Sequence, residues 1–287
     1  MQTKSTFKKI CVTVIWGWLL LFALVPAALM LITSFLTPDS NDIVSFHLTF
    51  GNYTQLFNPA YLRILLQSLY LAFSCTALCL LIGYPFAFII ARSTSKHRSL
   101  FLLLVIIPFW TSSLIRTYAI MALIKAKGII NTVLLAVGIV HHPLPMLYTY
   151  GAILLGCVYD FLPFMILPLY ANIEKLNPEL IEAARDLGAG RIRTLCKIIL
   201  PLTSSGIMAG TLLVFLPAMT MFYIPVLLGG AKNLLLGNLI ENQFLAANNW
   251  PVGAAISMII TLFMCGMIFF YWRNSLSKDR SNFEELV

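Results

Sequence analysis

Asn177-Pro178-Glu179-Leu180-Ile181-Glu182-Ala183-Ala184-Arg185-Asp186-Leu187-Gly188-Ala189-Gly190 is a polar island between two long apolar runs. Asn177 can accept the free N–H groups of a helix start. Pro178 suits the first turn, where the N–H it lacks would have no partner. Glu179 and Glu182 place negative charge toward the positive end of the helix dipole. Leu180, Ala184 and Leu187 recur at i, i+4 and i+7 with Ile181 beside them, which predicts one apolar stripe. Gly188 and Gly190 then end the helix. Ala183 and Ala184 keep its surface low, so another polypeptide can approach closely. The residues alone fit two placements equally: a helix docked on a protein partner, or one lying flat on lipid headgroups.

Working outward, the flanking runs are long enough to cross a bilayer. A hydrocarbon core about 30 Å thick needs roughly 20 apolar residues in a helix. Six stretches qualify, at about 10–36, 65–90, 100–124, 147–170, 198–228 and 252–272. The run 129–139 is apolar but short, and reads as an interfacial or re-entrant piece. The first stretch follows Lys4, Lys8 and Lys9, exceeds the core of a secretory signal, and carries Trp16 and Trp18 as interfacial anchors, so it reads as a retained first helix. One membrane domain over 1–287 is expected, all-α, with its informative loop at 171–201.

Lysine and arginine give the orientation. Fourteen of the 19 basic residues fall on the side that holds both termini and the island, four fall on the other, and Arg116 lies inside a span. Both termini are therefore expected in the cytoplasm. The exterior loops 37–64, with Asp39 and Asp42, and 229–251, with Glu241 and Trp250, can either receive a soluble partner or simply cover the bundle.

Composition excludes several classes. Of 287 residues, 60% are hydrophobic and 10% charged, too little polar surface to cover a water-soluble core. The formal charge of +8 sits beside the ends of apolar runs, so it reports topology rather than nucleic-acid binding. Cys11, Cys75, Cys79, Cys157, Cys196 and Cys265 show no CxxC or His/Cys spacing, and read as small buried hydrophobes. His141 and His142 read as loop residues rather than metal ligands.

No GxxxxGK[ST] phosphate loop occurs, so any ATP must be handled by another chain. An ion-driven carrier would need several intramembrane carboxylates and a repeated architecture, whereas the spans carry Asp160 alone. Six spans without a repeat read as half a transporter. An intramembrane enzyme would need a nucleophile–base or metal constellation that the spans lack. An ion channel would conduct without nucleotide.

The spacing decides between the two placements of the island. Glu182-Ala183-Ala184, three residues, Gly188, nine residues, then Ile198-x-Leu200-Pro201 resembles the EAA loop of binding-protein-dependent ABC importers at every fixed position. The resemblance implies a six-helix type I ABC importer permease fold in a bacterial inner membrane. It makes the island a coupling helix seated in a groove of a cytoplasmic ATPase, with Glu182, Ala183, Ala184 and Gly188 in contact and Leu180 and Leu187 supporting.

Beyond that loop, Pro108-Phe109-Trp110-Thr111-Ser112-Ser113-Leu114-Ile115-Arg116, Leu162-Pro163-Phe164 and Gly229-Gly230-Ala231-Lys232-Asn233 resemble the first permease subunit of spermidine/putrescine importers. Related importers of other small cationic or organic solutes carry similar blocks. The resemblance implies a homologous second permease, an ATPase dimer that uses ATP and Mg, and a periplasmic polyamine-binding protein. No cofactor is expected on this chain, whose remaining contacts are with membrane lipid.

Candidate pathway residues follow from chemistry. Asp160, near the middle of the fourth span, must face protein or water, because an ionised group at that depth costs at least about 2.5–3.5 kcal/mol on insertion scales. It suits a passing cation; the alternative is a structural pair with Arg116. For Arg116 itself, snorkelling outward, capping carbonyls and pairing with Asp160 are open. Pro217 and Pro225 are expected to interrupt the fifth span around Met219, Met221, Phe222 and Tyr223, whose aromatic faces can attract ammonium groups. Trp110 and Tyr159 are similar candidates. Ordinary packing is the alternative for each.

Overall fold

In the computed structural model of the chain, the described residues are 2–38, 44–230 and 234–284, with backbone alone for 2–8, 10 and 274–284. Asp39, Asp42 and Lys232, expected in exterior loops, lie outside them. In chain order the elements are α1 (Gln2–Leu19), α2 (Val25–Thr33), β1 (Leu36–Thr37), β2 (Ser45–Leu48), α3 (Gly51–Gln55), α4 (Pro59–Arg92), α5 (Ser95–Ile106), α6 (Ser113–Ile124) and α7 (Ile129–Ala136). There follow α8 (Tyr150–Ile173), α9 (Pro178–Asp186), α10 (Arg191–Thr194), α11 (Leu200–Leu202), α12 (Ser204–Thr220), α13 (Tyr223–Gly229), α14 (Leu236–Glu241) and α15 (Trp250–Glu284).

Among the described residues, five helical segments are long and apolar enough to cross a membrane: Cys11–Thr33, Pro59–Arg92, Ser113–Ala136, Tyr150–Ile173 and Trp250–Arg273. A sixth exists if the bent pair Arg191–Leu202 and Ser204–Thr220 is one span. Two expectations need correcting. The run 100–124 is not one helix, because a tight turn over Ile107–Trp110 and extended residues at Thr111 and Ser112 divide α5 from α6. The apolar span instead continues from α6 through the turn 125–128 into α7, the piece expected to be interfacial or re-entrant. The run 198–228 is also divided, by a 70° bend between α11 and α12 and again at Met221–Phe222. Pro217 does not interrupt it: α12 runs on to Thr220, and Pro225 lies in the first turn of α13.

The chain forms two compact units, Met1–Leu62 with Leu239–Gly266, and Arg63–Asn238 with Met267–Val287. In the first unit, a π-helical turn over Leu20–Leu24 joins α1 to α2 just before Pro26, where the missing N–H disturbs the helical ladder. Trp16, Trp18 and the leucines of this segment are exposed, as lipid-facing residues are. The following loop turns back as a short antiparallel ribbon of β1 and β2, an element the hydropathy reading did not anticipate. Buried Asn52 holds it, donating to the carbonyls of Ser34 at 2.9 Å and Leu36 at 2.8 Å, while Phe35 packs on Phe50 and Tyr53.

The core of the second unit is α8, which packs against α12 and α13. Gly206 and Gly210 make the α8–α12 approach possible. A Cβ on Gly206 would stand 2.6 Å from Asn172 Cβ, and one on Gly210 2.7 Å from Met165 Sδ. Gly156 does the same toward α13, where a Cβ would meet Leu228 Cδ1 at 2.5 Å. Small residues at such spacing are how membrane helices gain close van der Waals contact without a hydrophobic drive. Tyr84 on α4 reaches the bend before α12 through a 2.9 Å hydrogen bond to buried Thr203. Cys75, Cys79 and Cys157 are buried, whereas Cys196 and Cys265 are exposed.

Candidate functional site

The polar island folds as α9. Asn177 is its N-cap, with Oδ1 accepting the Glu179 N–H at 3.1 Å, a bond worth about 1 kcal/mol to a helix. At the other end, the Ala189 N–H reaches the Ala184 carbonyl at 3.0 Å and the Gly188 N–H reaches Arg185 at 2.9 Å. This is the double bond of a Schellman cap. It requires a left-handed residue at Gly188, whose φ is +77°. Gly190, expected to share that stop, has ordinary extended backbone and instead precedes α10.

The single apolar stripe splits in two. Ile181 and Ala184 are buried within the chain, Ala184 to 6% exposure, while Leu180 is 47% and Leu187 89% exposed. Leu187 is the C-cap, so its backbone has left the helical path and its side chain leaves the stripe. Ala184, expected at the partner surface, therefore faces inward. Glu182, Ala183 and Gly188 are exposed beside Leu180 and Leu187.

The second site joins three elements of the second unit around Asp160, which is 7% exposed in α8. Its Oδ1 lies 2.7 Å from Arg116 Nη2 of α6. Its Oδ2 lies 3.2 Å from Tyr223 OH and 3.3 Å from Ser113 Oγ. Ser113 and Tyr223 also hydrogen-bond to each other. The Arg116 guanidinium carbon stands 5.3 Å from the centre of the Phe109 ring and 5.9 Å from that of Tyr159. Two aromatic faces and one carboxylate thus surround the cation, whose Nε and Nη1 have no hydrogen-bond partner among the described residues. Of the three roles open to Arg116, pairing with Asp160 is the one the structure shows.

The other pathway candidates divide. Tyr223 joins the cluster, Tyr159 stands over Arg116, and half-exposed Phe222 meets Tyr223 edge-on at 5.6 Å. Met219 is fully buried as packing, and Trp110 is 82% exposed. Ser113 and Phe109 are additions; nothing in their spacing singles them out, since their role depends on where α6 crosses α8. The break at Met221–Phe222 is also held from outside its own span. Asn238 donates to the Phe222 carbonyl at 2.8 Å, and Gly237 approaches so closely that a Cβ would lie 2.2 Å from the Thr220 carbonyl oxygen.

A helical chain of several apolar spans, with a capped polar helix between two of them, has the architecture of a multi-pass membrane protein. Residues 83–278 match the family described as binding-protein-dependent transport system inner membrane component, and the chain belongs to it. It is 51% identical over 276 residues to the spermidine/putrescine transport system permease protein PotB of Haemophilus influenzae, covering 96% of each chain. Against PotB of Escherichia coli it is 48% identical over 264 residues, covering 92% of this chain and 96% of that one. The chain of a bacterial ABC transporter importing the acidic polysaccharide alginate superposes with a TM-score of 0.72 at 19% identity, covering 97% and 96%. That likeness establishes the fold. The protein is accordingly a multi-pass permease of the inner membrane with a type I importer fold.

Proposed function

We infer that the chain is a permease subunit of an ATP-driven spermidine/putrescine importer and forms half of its translocation pathway. One observation carries this reading: identity of 47–51% to PotB permeases over nearly the whole length, in a chain whose loop 171–201 holds a capped helix with one exposed side. In this reading both termini and α9 face the cytoplasm. A homologous second permease completes the pathway, an ATPase dimer holds ATP and Mg, and a periplasmic polyamine-binding protein delivers cargo.

The chain's own contribution is mechanical. α9 is capped at both ends, so it moves as one body when the ATPase closes. Its inward residues Ile181 and Ala184 tie it to the permease, and Leu180, Glu182, Ala183 and Leu187 meet the ATPase. Alternating access then follows from rearrangement of the spans behind it. Asp160 does not serve as an unpaired counter-ion for cargo in this conformation, because Arg116 neutralises it.

The test is reconstitution of the chain with its ATPase and partner permease, supplied with binding protein, in vesicles offered spermidine, putrescine and other small solutes. ATP-dependent polyamine uptake is expected. Uptake that continues without ATP would overturn the importer reading, while ATP-driven uptake of a different solute would overturn only the cargo.

A further inference from the structure

Two of the interruptions in the second unit's helices end at the same carboxylate. The first lies at Thr111–Ser112, each extended, and the chain re-enters helix at Ser113. The second lies at Met221–Phe222, and the chain re-enters helix at Tyr223. Ser113 and Tyr223 are thus the first helical residues after the two breaks. Both hydroxyls lie within hydrogen-bonding distance of Asp160 Oδ2 and of each other, and Arg116, one turn past the first break, takes Oδ1. Broken helices inside a membrane persist only where their surroundings hold them. Here one side chain on α8, the helix that packs against both α6 and α13, is a holding group shared by the two breaks, while Asn238 holds the second break separately through the Phe222 carbonyl.

We propose that Asp160 is a positioning residue for transport, which clamps the two interrupted segments to α8 and whose release of them is a step of the cycle. The clamp is neutral, since Arg116 supplies the compensating charge, so it holds segments without attracting cationic cargo. Two packed arrangements separated by a few polar bonds suit an element that must switch, because cores are bistable rather than continuously deformable. This inference rests on the transporter reading above. It assigns Asp160 to the movement of the pathway walls and not to contact with the solute.

The experiment uses the complete importer in proteoliposomes, with wild-type uptake measured alongside. Absence of wild-type polyamine uptake would count against the transporter reading and not against the clamp. Two double variants separate the bonds: D160N/R116Q removes the charge pair, and S113A/Y223F removes the hydroxyls while leaving the pair. In assembled complexes, both are expected to hydrolyse ATP several-fold faster without cargo. Both should transport about tenfold more slowly, at a half-saturating solute concentration within about twofold of wild type. A tenfold rise in that concentration with maximal rate unchanged would overturn the clamp and make Asp160 a cargo ligand. Wild-type rates in assembled S113A/Y223F would overturn it too, even if D160N/R116Q failed to assemble.

Discussion

Asp160 and Arg116 illustrate how far one residue's environment can be argued from its chemistry. A carboxylate and a guanidinium inside apolar spans must each find a partner, because leaving either alone in low dielectric is costly. They find each other at 2.7 Å, with Phe109 and Tyr159 lying against the cation. Removing one partner is worse than removing both, since it strands the other charge. Asp160→Asn alone is therefore expected to lose about 3–5 kcal/mol of stability. D160N/R116Q should recover part of that, which thermal unfolding of the purified complex in detergent would check; equal losses in both variants would contradict it. The need for a pair was legible in the sequence, but the hydroxyls of Ser113 and Tyr223 were not, because they arrive from separate elements 110 positions apart.

At the scale of elements, glycine determines two different things. Gly188 matters for backbone conformation: at φ +77° with open space around its absent Cβ, it would tolerate a methyl sterically but not conformationally. Gly188→Ala should cost about 1–2 kcal/mol of local strain and reduce uptake, measurable as a lower rate at normal membrane levels. Gly188→Pro, which cannot reach positive φ, should abolish uptake without preventing insertion. Gly210 matters for packing instead. Gly210→Leu is expected to force α12 away from α8 at a cost of about 1–3 kcal/mol, read as a lower melting temperature; an unchanged one would show the helices are not in contact there. The cap of α9 could be read from Asn177, Pro178 and Gly188 because capping is local. The Gly206–Gly210 face could not, since a glycine pair carries no mark of which helix it will meet.

For the whole molecule, the distribution of lysine and arginine predicts the orientation. Exposed Cys196, beside Lys197 in the helical turn Leu195–Ile199 between α10 and α11, provides a direct check. In a variant that keeps Cys196 alone, a membrane-impermeant maleimide should label inside-out vesicles and leave right-side-out vesicles unlabelled. The reverse pattern would invert the topology and detach α9 from any cytoplasmic motor. The same variant should retain ATP-driven uptake, because Cys75, Cys79 and Cys157 are buried without a disulfide.

Hydropathy, charge placement and the EAA-type spacing sufficed for the membrane class, the number of apolar runs, the start and stop of α9, and the likeness to importer permeases. Those signals are local or compositional, so they survive without knowledge of the fold. Tertiary structure alone decided where the third and fifth runs break, which face of α9 turns inward, and that Asp160 is held by Arg116, Ser113 and Tyr223. Each of those outcomes depends on which side chains distant in sequence meet across α6, α8, α12 and α13, and helical periodicity within one segment contains no information about its neighbour.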